Sequence, residues 1–178
     1  MKSRLLAAAA VLACVVITTT GCFAQPDPEP TPLFASEEEA FAAAEATYRA
    51  YVDALNQVDL SDPETFDEVY AWTTGDFNAD ERKTLSEWHA EGWVVNGETQ
   101  IARLDHLKSS ADLDMVNLGS CVDVSSVVLQ DASGESQVNA ARPDVQSTQV
   151  TAVVAEDSPT GYRIAEIVGF ELTPPCMP

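Results

Sequence analysis

The spacing of the apolar residues changes at Asn96-Gly97, and this change constrains the fold more than any other feature of the sequence. Between positions 36 and 92, apolar residues recur every three or four positions, which is typical of amphipathic helices. After Gly97, β-branched residues alternate with polar ones, which is typical of strands that bury one face. Helices grouped before consecutive strands predict an α+β fold, with N-terminal helices packed on an antiparallel sheet.

Three helices are predicted before this change. The first covers residues 36–57, with Ser36 as N-cap and Glu39 as its capping-box partner. Each of the other two begins at a polar capping residue and ends at a glycine. The second predicted helix has Asp62 as its cap and Gly75 as its end. The third has Asn78 as its cap, Glu81 as the capping-box partner and Gly92 as its end.

Four strands are predicted after Gly97, because four segments rich in β-branched residues are separated by shorter segments rich in turn-forming residues. Strands that follow one another through turns pair in an antiparallel manner. The four predicted strands cover residues 99–111, 114–131, 145–157 and 161–172.

The N-terminus has the parts of a secretory signal: basic residues, an apolar run at 5–17 and then small residues. The run is too short to span a bilayer. The segment TTGC that ends at Cys22 resembles the lipobox of bacterial lipoproteins, in which the signal is removed before the cysteine and the sulfur receives a diacylglyceryl group. The resemblance implies a signal at 1–21, lipidation of Cys22 and a place on the extracytoplasmic face of the cell membrane. Cleavage near 23–25 without lipidation is the alternative.

Residues 22–35 follow as a predicted stalk. Prolines occupy every second position from Pro26 to Pro32, and this composition favours an extended chain over helix or sheet. A dozen such residues reach about 35 Å from the membrane at about 3.1 Å each. Residues 36–178 contain no second linker and no repeat, so they are predicted to form a single domain.

The cysteines separate into two groups. Cys14 lies in the signal and Cys22 would carry the lipid, so Cys121 and Cys176 remain in an oxidising compartment. A disulfide between these two is predicted, with two free thiols as the alternative. A metal or redox site would need a CxxC pair or a Cys/His cluster, and the sequence has neither spacing.

The charge of the chain restricts its partners. Removing the signal leaves 7 basic residues against 29 acidic ones, which is a formal charge of −22. Nucleic acid is excluded as a predicted partner, because phosphate binding needs a basic surface. The same charge disfavours contact with anionic lipid headgroups, which is compatible with a domain held away from the membrane.

The order of the predicted elements resembles small actinobacterial lipoproteins of the NTF2-like (SnoaL or cystatin-like cone) superfold. The segments EEEAFAAAEATYRAYVDALN, GSCVDVSSVVLQDASG and GYRIAEIVGFELTPPC carry the resemblance, which covers 36–176. Tyr162 stands where the last strand usually has Trp. The resemblance implies a conical cavity between helices and sheet, where enzymatic members such as ketosteroid isomerases and epoxide hydrolases place a base and a hydrogen-bond donor.

Asp123 is the candidate base, since it lies between Val122 and Val124 in a predicted strand. If it faces the cavity, desolvation raises its pKa. If it faces outward with Cys121, it is a solvated carboxylate, and we expect this second arrangement because the two valines then form the packed face.

Other candidate side chains have an ordinary alternative role. Tyr48 and Trp88 could line a cavity, although aromatic residues at helical spacing are more typical of a core. His89 and His106 have no triad or ligand spacing and are predicted to lie on the surface. Segment 76–87 places acidic residues as an EF-hand does, but it lacks the central glycine and is predicted to be helical.

These features together predict a membrane-anchored, extracytoplasmic and non-catalytic module. Its predicted partners are the membrane, through the lipid, and either an envelope protein or a small apolar ligand. The alternative is a cavity enzyme of isomerase or hydratase type that uses Asp123 as its base. No metal or cofactor is predicted, because no residue pattern suits one.

Overall fold

A computed structural model describes residues 33–177. The predicted signal and most of the predicted stalk lie outside these residues. No helix in 33–177 combines the length and the apolar character needed to cross a membrane. The described helices and strands are α1 (Glu37–Asn56), α2 (Phe66–Ala71), α3 (Gly75–Ala90), β1 (Val94–Asn96), β2 (Gln100–Ser109), β3 (Met115–Asp123), β4 (Val128–Gln130), β5 (Val145–Val154) and β6 (Tyr162–Gly169).

The predicted α+β fold is confirmed: the helices pack on one face of a four-stranded antiparallel sheet with the order β2-β3-β5-β6. Strands β3 and β5 pair without interruption from Met115↔Val153 to Asp123↔Val145. Register shifts interrupt the pairing of β2 with β3 and of β5 with β6. Such irregularities bend strands, and the sheet therefore curves around the helices.

The predicted second strand, 114–131, is wrong in its extent. The carboxylate of Asp123 accepts a hydrogen bond from the backbone N–H of Ser125 at 2.8 Å, which turns the chain and ends β3. After this turn, β4 pairs with β1 in a separate two-stranded sheet. The turn residues Ser125 and Ser126 carried too weak a signal to separate the two strands.

The core lies between the helices and the inner face of the sheet. Strand β3 alternates, with Val116, Leu118 and Val122 in the core and Gly119 and Cys121 on the outer face. Burying an aliphatic side chain completely contributes about 1.5–3 kcal/mol. The largest fully buried side chains are Tyr162, Leu118, Ile164, Val69, Val116 and Val150.

The N-cap of α1 is confirmed, but the capping box differs from the prediction. The Ser36 hydroxyl accepts a hydrogen bond from the Glu39 backbone N–H at 3.2 Å. The Glu39 carboxylate accepts its bond from the N–H of Ala35, one residue before the cap. The adjacent Phe34 is buried and stacks on Tyr162 with ring centroids 4.6 Å apart. Phe34, which the prediction assigned to the stalk, therefore belongs to the core.

The boundary between the second and third helices also differs from the prediction. Asp62 caps a 3-10 turn that leads into α2, as expected from its position. Gly75 begins α3 instead of ending α2. Asn78 consequently lies inside α3, where its side-chain amide donates to the Tyr70 carbonyl at 3.0 Å and to the Thr73 hydroxyl at 2.7 Å. These bonds join two helices that the sequence pattern could not place relative to each other.

The C-terminal strap, residues 170–176, crosses the outer face of the sheet. It leaves β6 with a hydrogen bond from the Phe170 N–H to the Ser147 carbonyl on β5. At its far end, the Arg103 guanidinium on β2 donates to the Pro174 carbonyl at 2.6 Å. The strap is therefore attached to β5 at one end and to β2 at the other.

The strap is fixed on β3 by packing and by a covalent bond. Leu172 is buried against Gly119, where any side chain would overlap it. Cys176 forms a disulfide with Cys121, so the predicted disulfide is confirmed.

Candidate functional site

Side chains from the helices and from the inner face of the sheet form one packed core among the described residues. Tyr48 of α1 is 3% exposed and lies within the core. Its hydroxyl accepts a hydrogen bond from the Ser120 hydroxyl at 3.3 Å, and burial raises the pKa of Tyr48 above its ordinary value. Tyr48 therefore contributes to the packing of the core.

Trp88 lies elsewhere, at the edge of an open cleft of about 670 Å³. The cleft is bounded by the C-terminal ends of α1 and α3, by the segment from β1 into β2, and by the turn after β3. The lining residues are Leu55, Asn56, Val58, Trp88, Val95, Asn96, Gly97, Glu98, Thr99, Gln100, Ser126 and Val127.

The position of Trp88 is set by the way α3 ends. Gly92 adopts a φ of +69°, its N–H bonds to the His89 carbonyl, and the Trp93 N–H bonds to the Trp88 carbonyl at 2.9 Å. This pair of bonds is the Schellman motif, which brings the residue after the glycine against the last turn of the helix. The rings of Trp88 and Trp93 accordingly stack with centroids 5.8 Å apart. The predicted end of this helix at Gly92 is thus correct to within two residues.

Two side chains hold the segment that enters β2. Asn56, the last residue of α1, accepts from the Thr99 N–H at 2.8 Å and donates to the Thr99 carbonyl at 3.0 Å. The Ser126 hydroxyl accepts from the Glu98 N–H and donates to the Glu98 carbonyl at 2.9 Å. Both backbone groups of two consecutive residues are therefore fixed, and the wall of the cleft is formed before any ligand arrives.

Asp123 lies outside this cleft. Asp123 is two residues after Cys121, so strand alternation places both on the outer face of the sheet. Its neighbours Val122 and Val124 are buried, as we expected. Hydrogen bonds from the side chain and the backbone of Ser125 hold the pKa of Asp123 below its ordinary value. A general base in the cone would require the opposite shift, so the geometry gives Asp123 a role in turning the chain.

The three side chains proposed for one cavity are thus not brought together. Tyr48 is in the core, Trp88 is at the cleft and Asp123 is at the end of β3. The sequence placed each residue on its element, but strand and helix periodicity does not fix which element faces which.

The sequence pattern does not reveal a partly buried pair of polar residues between α1 and α3. The Tyr51 hydroxyl on α1 donates to the Glu81 carboxylate on α3 at 3.2 Å. Desolvation by burial raises the pKa of both groups. The sequence interpreted Glu81 as a capping residue, although its spacing of four from Phe77 and from Leu85 places it on the apolar face of α3, and that spacing was the available signal.

Replacing Glu81 by glutamine should stabilise the protein at neutral pH. A folded-state pKa raised above the ordinary 4.5 means that stability falls as pH rises through that folded pKa, because the buried carboxylate must then be charged. Glutamine removes the charge while its carbonyl still accepts from Tyr51. Urea unfolding of both proteins should show a higher free energy of unfolding for Glu81→Gln at pH 8, and this difference should disappear at pH 4. A gain independent of pH would contradict this.

The histidines do not form a site. The Nδ1 atom of His89 lies 2.7 Å from the Leu60 carbonyl. The Nε2 atom of His106 lies 2.6 Å from the Glu45 carboxylate, and its ring stacks on Phe41. The Asp105 carboxylate instead forms an ion pair with Arg103, which is two residues away on the same face of β2. Asp105 and His106 therefore point to opposite faces, as expected.

The segment that resembled an EF-hand is part of α3. Residues 76–87 lie entirely within Gly75–Ala90, as predicted. A helix spreads such side chains around its axis, whereas a calcium loop converges them. Among the described residues, no group of three or more His, Cys, Asp or Glu side chains is placed to hold a metal ion.

Comparison with solved structures identifies the fold. The intermembrane-space region of the chloroplast protein ARC6 matches 72% of this chain and 95% of its own, with a TM-score of 0.50 and 14% identity. A candidate aromatic ring hydroxylase from Novosphingobium aromaticivorans matches 77% of this chain and 96% of its own, with a TM-score of 0.50 and 13% identity. The chain has the NTF2-like cone fold.

This identification concerns the fold alone. The sequence matches no protein-family model and no curated protein. At 13–14% identity, a shared fold does not carry an activity with it, since one fold serves many functions.

Proposed function

We propose that this protein is a membrane-anchored, extracytoplasmic module that binds a ligand in the cleft beside Trp88. The observation that carries the proposal is the cleft: its volume of about 670 Å³ lies within the range of about 300–1,000 Å³ that ligand sites occupy. Its wall is held by reciprocal bonds from Asn56 and Ser126. Such a preformed site binds without a large cost of ordering.

The residues of the cleft support binding rather than catalysis. Glu98 is the one ionisable side chain among its lining residues. Acid-base catalysis uses a second positioned group that donates or stabilises, and no histidine, cysteine, tyrosine, lysine or arginine lines this cleft.

A fragment screen by NMR tests the binding site. The purified full-length protein, labelled with ¹⁵N, is mixed with small fragments that include aromatic, apolar and hydroxylated compounds. We expect the shifts to cluster on lining residues such as Val95, Glu98 and Val127, with no change at Glu156, which is exposed and lies outside the cleft. Hits that cluster elsewhere would overturn the proposal.

The anchor has support from the sequence. The lipobox-like segment ends at Cys22, and a diacylglyceryl group provides two chains, which hold a protein to a membrane far more firmly than one. The charge and the proline-rich segment suit a domain kept away from the bilayer.

Replacing Cys22 by alanine should move the protein completely from the membrane fraction to the soluble fraction, or leave its signal uncleaved. Labelling of growing cells with an alkyne analogue of palmitate should be lost at the same time. Cys14→Ala is the matched control, because Cys14 lies within the signal, and it should keep both label and membrane location. Labelling that persists in Cys22→Ala would reject lipidation at this residue.

A further inference from the structure

We infer that the cleft beside Trp88 binds a neutral saccharide, with one face of a sugar ring lying on the Trp88 indole. This inference rests on the proposed function and specifies the class of ligand. It replaces the small apolar ligand expected from the sequence, because the chemistry of the cleft lining differs from that of an apolar pocket.

The lining mixes apolar and polar side chains in similar numbers. Five of the twelve lining residues are apolar (Leu55, Val58, Trp88, Val95 and Val127), whereas six carry polar side chains. A site for an acyl chain or a steroid is lined predominantly by apolar groups, since every unpaired polar group costs free energy when it is desolvated. An open cleft with this mixture suits a ligand that has both C–H faces and hydroxyl groups.

Trp88 provides a rigid aromatic surface. Its ring stacks on Trp93 with an angle of 17° between the planes, and Trp93 does not line the cleft. Trp93 and the core therefore hold the Trp88 ring in place, and the part of the ring that they do not cover lines the cleft. The face of an aromatic ring carries negative potential, which attracts the polarised C–H groups on one face of a pyranose ring.

Three exposed side chains of the cleft are available for hydroxyl groups. Asn96, Glu98 and Gln100 line it and make no side-chain hydrogen bond to another of the described residues. Together they offer amide donors, amide acceptors and a carboxylate acceptor. Asn56 and Ser126 are already engaged with the backbone, so the polar side chains divide into those that build the wall and those that face a ligand.

The charge of the cleft selects neutral sugars over anionic ones. No lysine or arginine is among its lining residues, and Glu98 contributes a negative charge. The whole chain has a formal charge of −20. Phosphorylated, sulfated or uronic acid ligands would meet repulsion in this cleft, where no lining lysine or arginine offsets it.

A second cleft of about 470 Å³ indicates more than one sugar ring. It shares Asn56, Glu98, Thr99 and Gln100 with the first and extends beside Arg49, Asp53 and Ile101. The Arg49 guanidinium lies 3.7 Å from the Glu45 carboxylate, and Asp53 adds a negative charge, so this cleft has no net positive charge. Both clefts are lined by Asn56 and Thr99, so they adjoin each other. A linear oligosaccharide that occupies both clefts contacts the residues they share, among them Glu98 and Gln100.

Calorimetric and NMR titrations of the purified full-length protein test the inference. The probes are maltotetraose, cellotetraose and chitotetraose as neutral sugars, tetragalacturonate as an anionic sugar, and n-decanol as an apolar compound. We expect at least one neutral sugar to bind with a Kd of about 1 mM or tighter, a normal range for a shallow open site. The shifts should fall on residues of the two clefts.

Variants separate the aromatic from the polar contribution. Trp88→Ala should weaken sugar binding by about tenfold, while Trp88→Phe, which keeps an aromatic face, should retain most of it. Glu98→Ala should weaken binding by about fivefold through loss of an acceptor. Glu156→Ala is the matched control: this glutamate is also exposed, lies outside both clefts and should have no effect.

The outcomes distinguish this inference from the proposed function. Binding of n-decanol or tetragalacturonate in the cleft without any neutral sugar would overturn the saccharide and leave a ligand-binding module. Sugar binding that Trp88→Ala and Glu98→Ala leave unchanged would also overturn it. If no probe and no fragment shifts the cleft residues, both the inference and the proposed function fail.

Discussion

Replacing Cys121 and Cys176 together by alanine is expected to lower the free energy of unfolding by about 4 kcal/mol. The disulfide joins residues 55 positions apart, and closing a loop of that length removes about this much conformational entropy from the unfolded chain. The effect is large relative to a typical total stability of about 5–15 kcal/mol. We therefore expect the variant to unfold at a clearly lower urea concentration.

The loss should also loosen the C-terminal strap. Without the disulfide, the strap keeps the packing of Leu172 and the hydrogen bond from Arg103 to Pro174. Hydrogen exchange should show faster exchange of the amide of Phe170, which bonds to the Ser147 carbonyl, while the β3–β5 amides remain protected.

A matched comparison separates the covalent bond from the packing. Leu172→Ala retains the disulfide and removes a buried side chain, which costs about 2–5 kcal/mol. Unfolding by urea of the wild type, Leu172→Ala and the double cysteine variant gives each contribution. A loss below 1 kcal/mol in the cysteine variant would mean that packing alone holds the strap.

Replacing Gly97 by alanine is expected to cost about 3 kcal/mol and to disrupt the cleft. Gly97 has a φ of +85°, a conformation that costs other residues about 1–2 kcal/mol. In addition, the new methyl group would overlap the backbone carbonyl of Ser126, and relieving such overlap typically costs about 1–3 kcal/mol. Because the obstacle is backbone, no change of rotamer can relieve it.

Gly134→Ala is the control for this prediction. Gly134 has almost the same φ, +86°, but nothing lies within 4 Å of the position where its methyl group would be. Gly134→Ala should therefore lower the free energy of unfolding only by the cost of the backbone conformation, about 1–2 kcal/mol. If the two variants lost equal amounts of unfolding free energy, the close approach of Gly97 to Ser126 would not contribute to the cost of Gly97→Ala.

The effect on the cleft is measured separately from stability. In Gly97→Ala, NMR shifts should change at Glu98 and Thr99, because the displaced turn breaks the bonds from Ser126 and Asn56. The variant should no longer bind the fragments, even at temperatures where it remains folded. In Gly134→Ala, both the shifts and the binding should be retained.

The sequence alone determined the class of fold and several of its boundaries. Helical spacing before residue 92 and alternation after it were sufficient for α+β, because each depends on local geometry. The Ser36 cap and the end of the third helix at Gly92 follow from interactions within a few residues. Counting cysteines sufficed for the disulfide, since only two remained to pair.

The errors arose where a residue interacts with a distant element. The local pattern around Asn78 predicts a cap, but in the structure its amide donates to the Tyr70 carbonyl on α2. Phe34 was assigned to the stalk because prolines precede it, whereas stacking on Tyr162 of β6 places it in the core. The same pattern around Asn78 predicts a capping-box role for Glu81, but in the structure its carboxylate accepts from Tyr51 across the interface of two helices.

The location of the cleft was decided only by the tertiary structure. The sequence grouped Tyr48, Trp88 and Asp123, and the structure separates them into core, cleft and outer turn. The cleft is assembled from the ends of α1 and α3 and from two turns that are distant in sequence. Periodicity shows which side of an element is buried, but the ends of elements meet through contacts between distant residues, and a local pattern contains no information about those contacts.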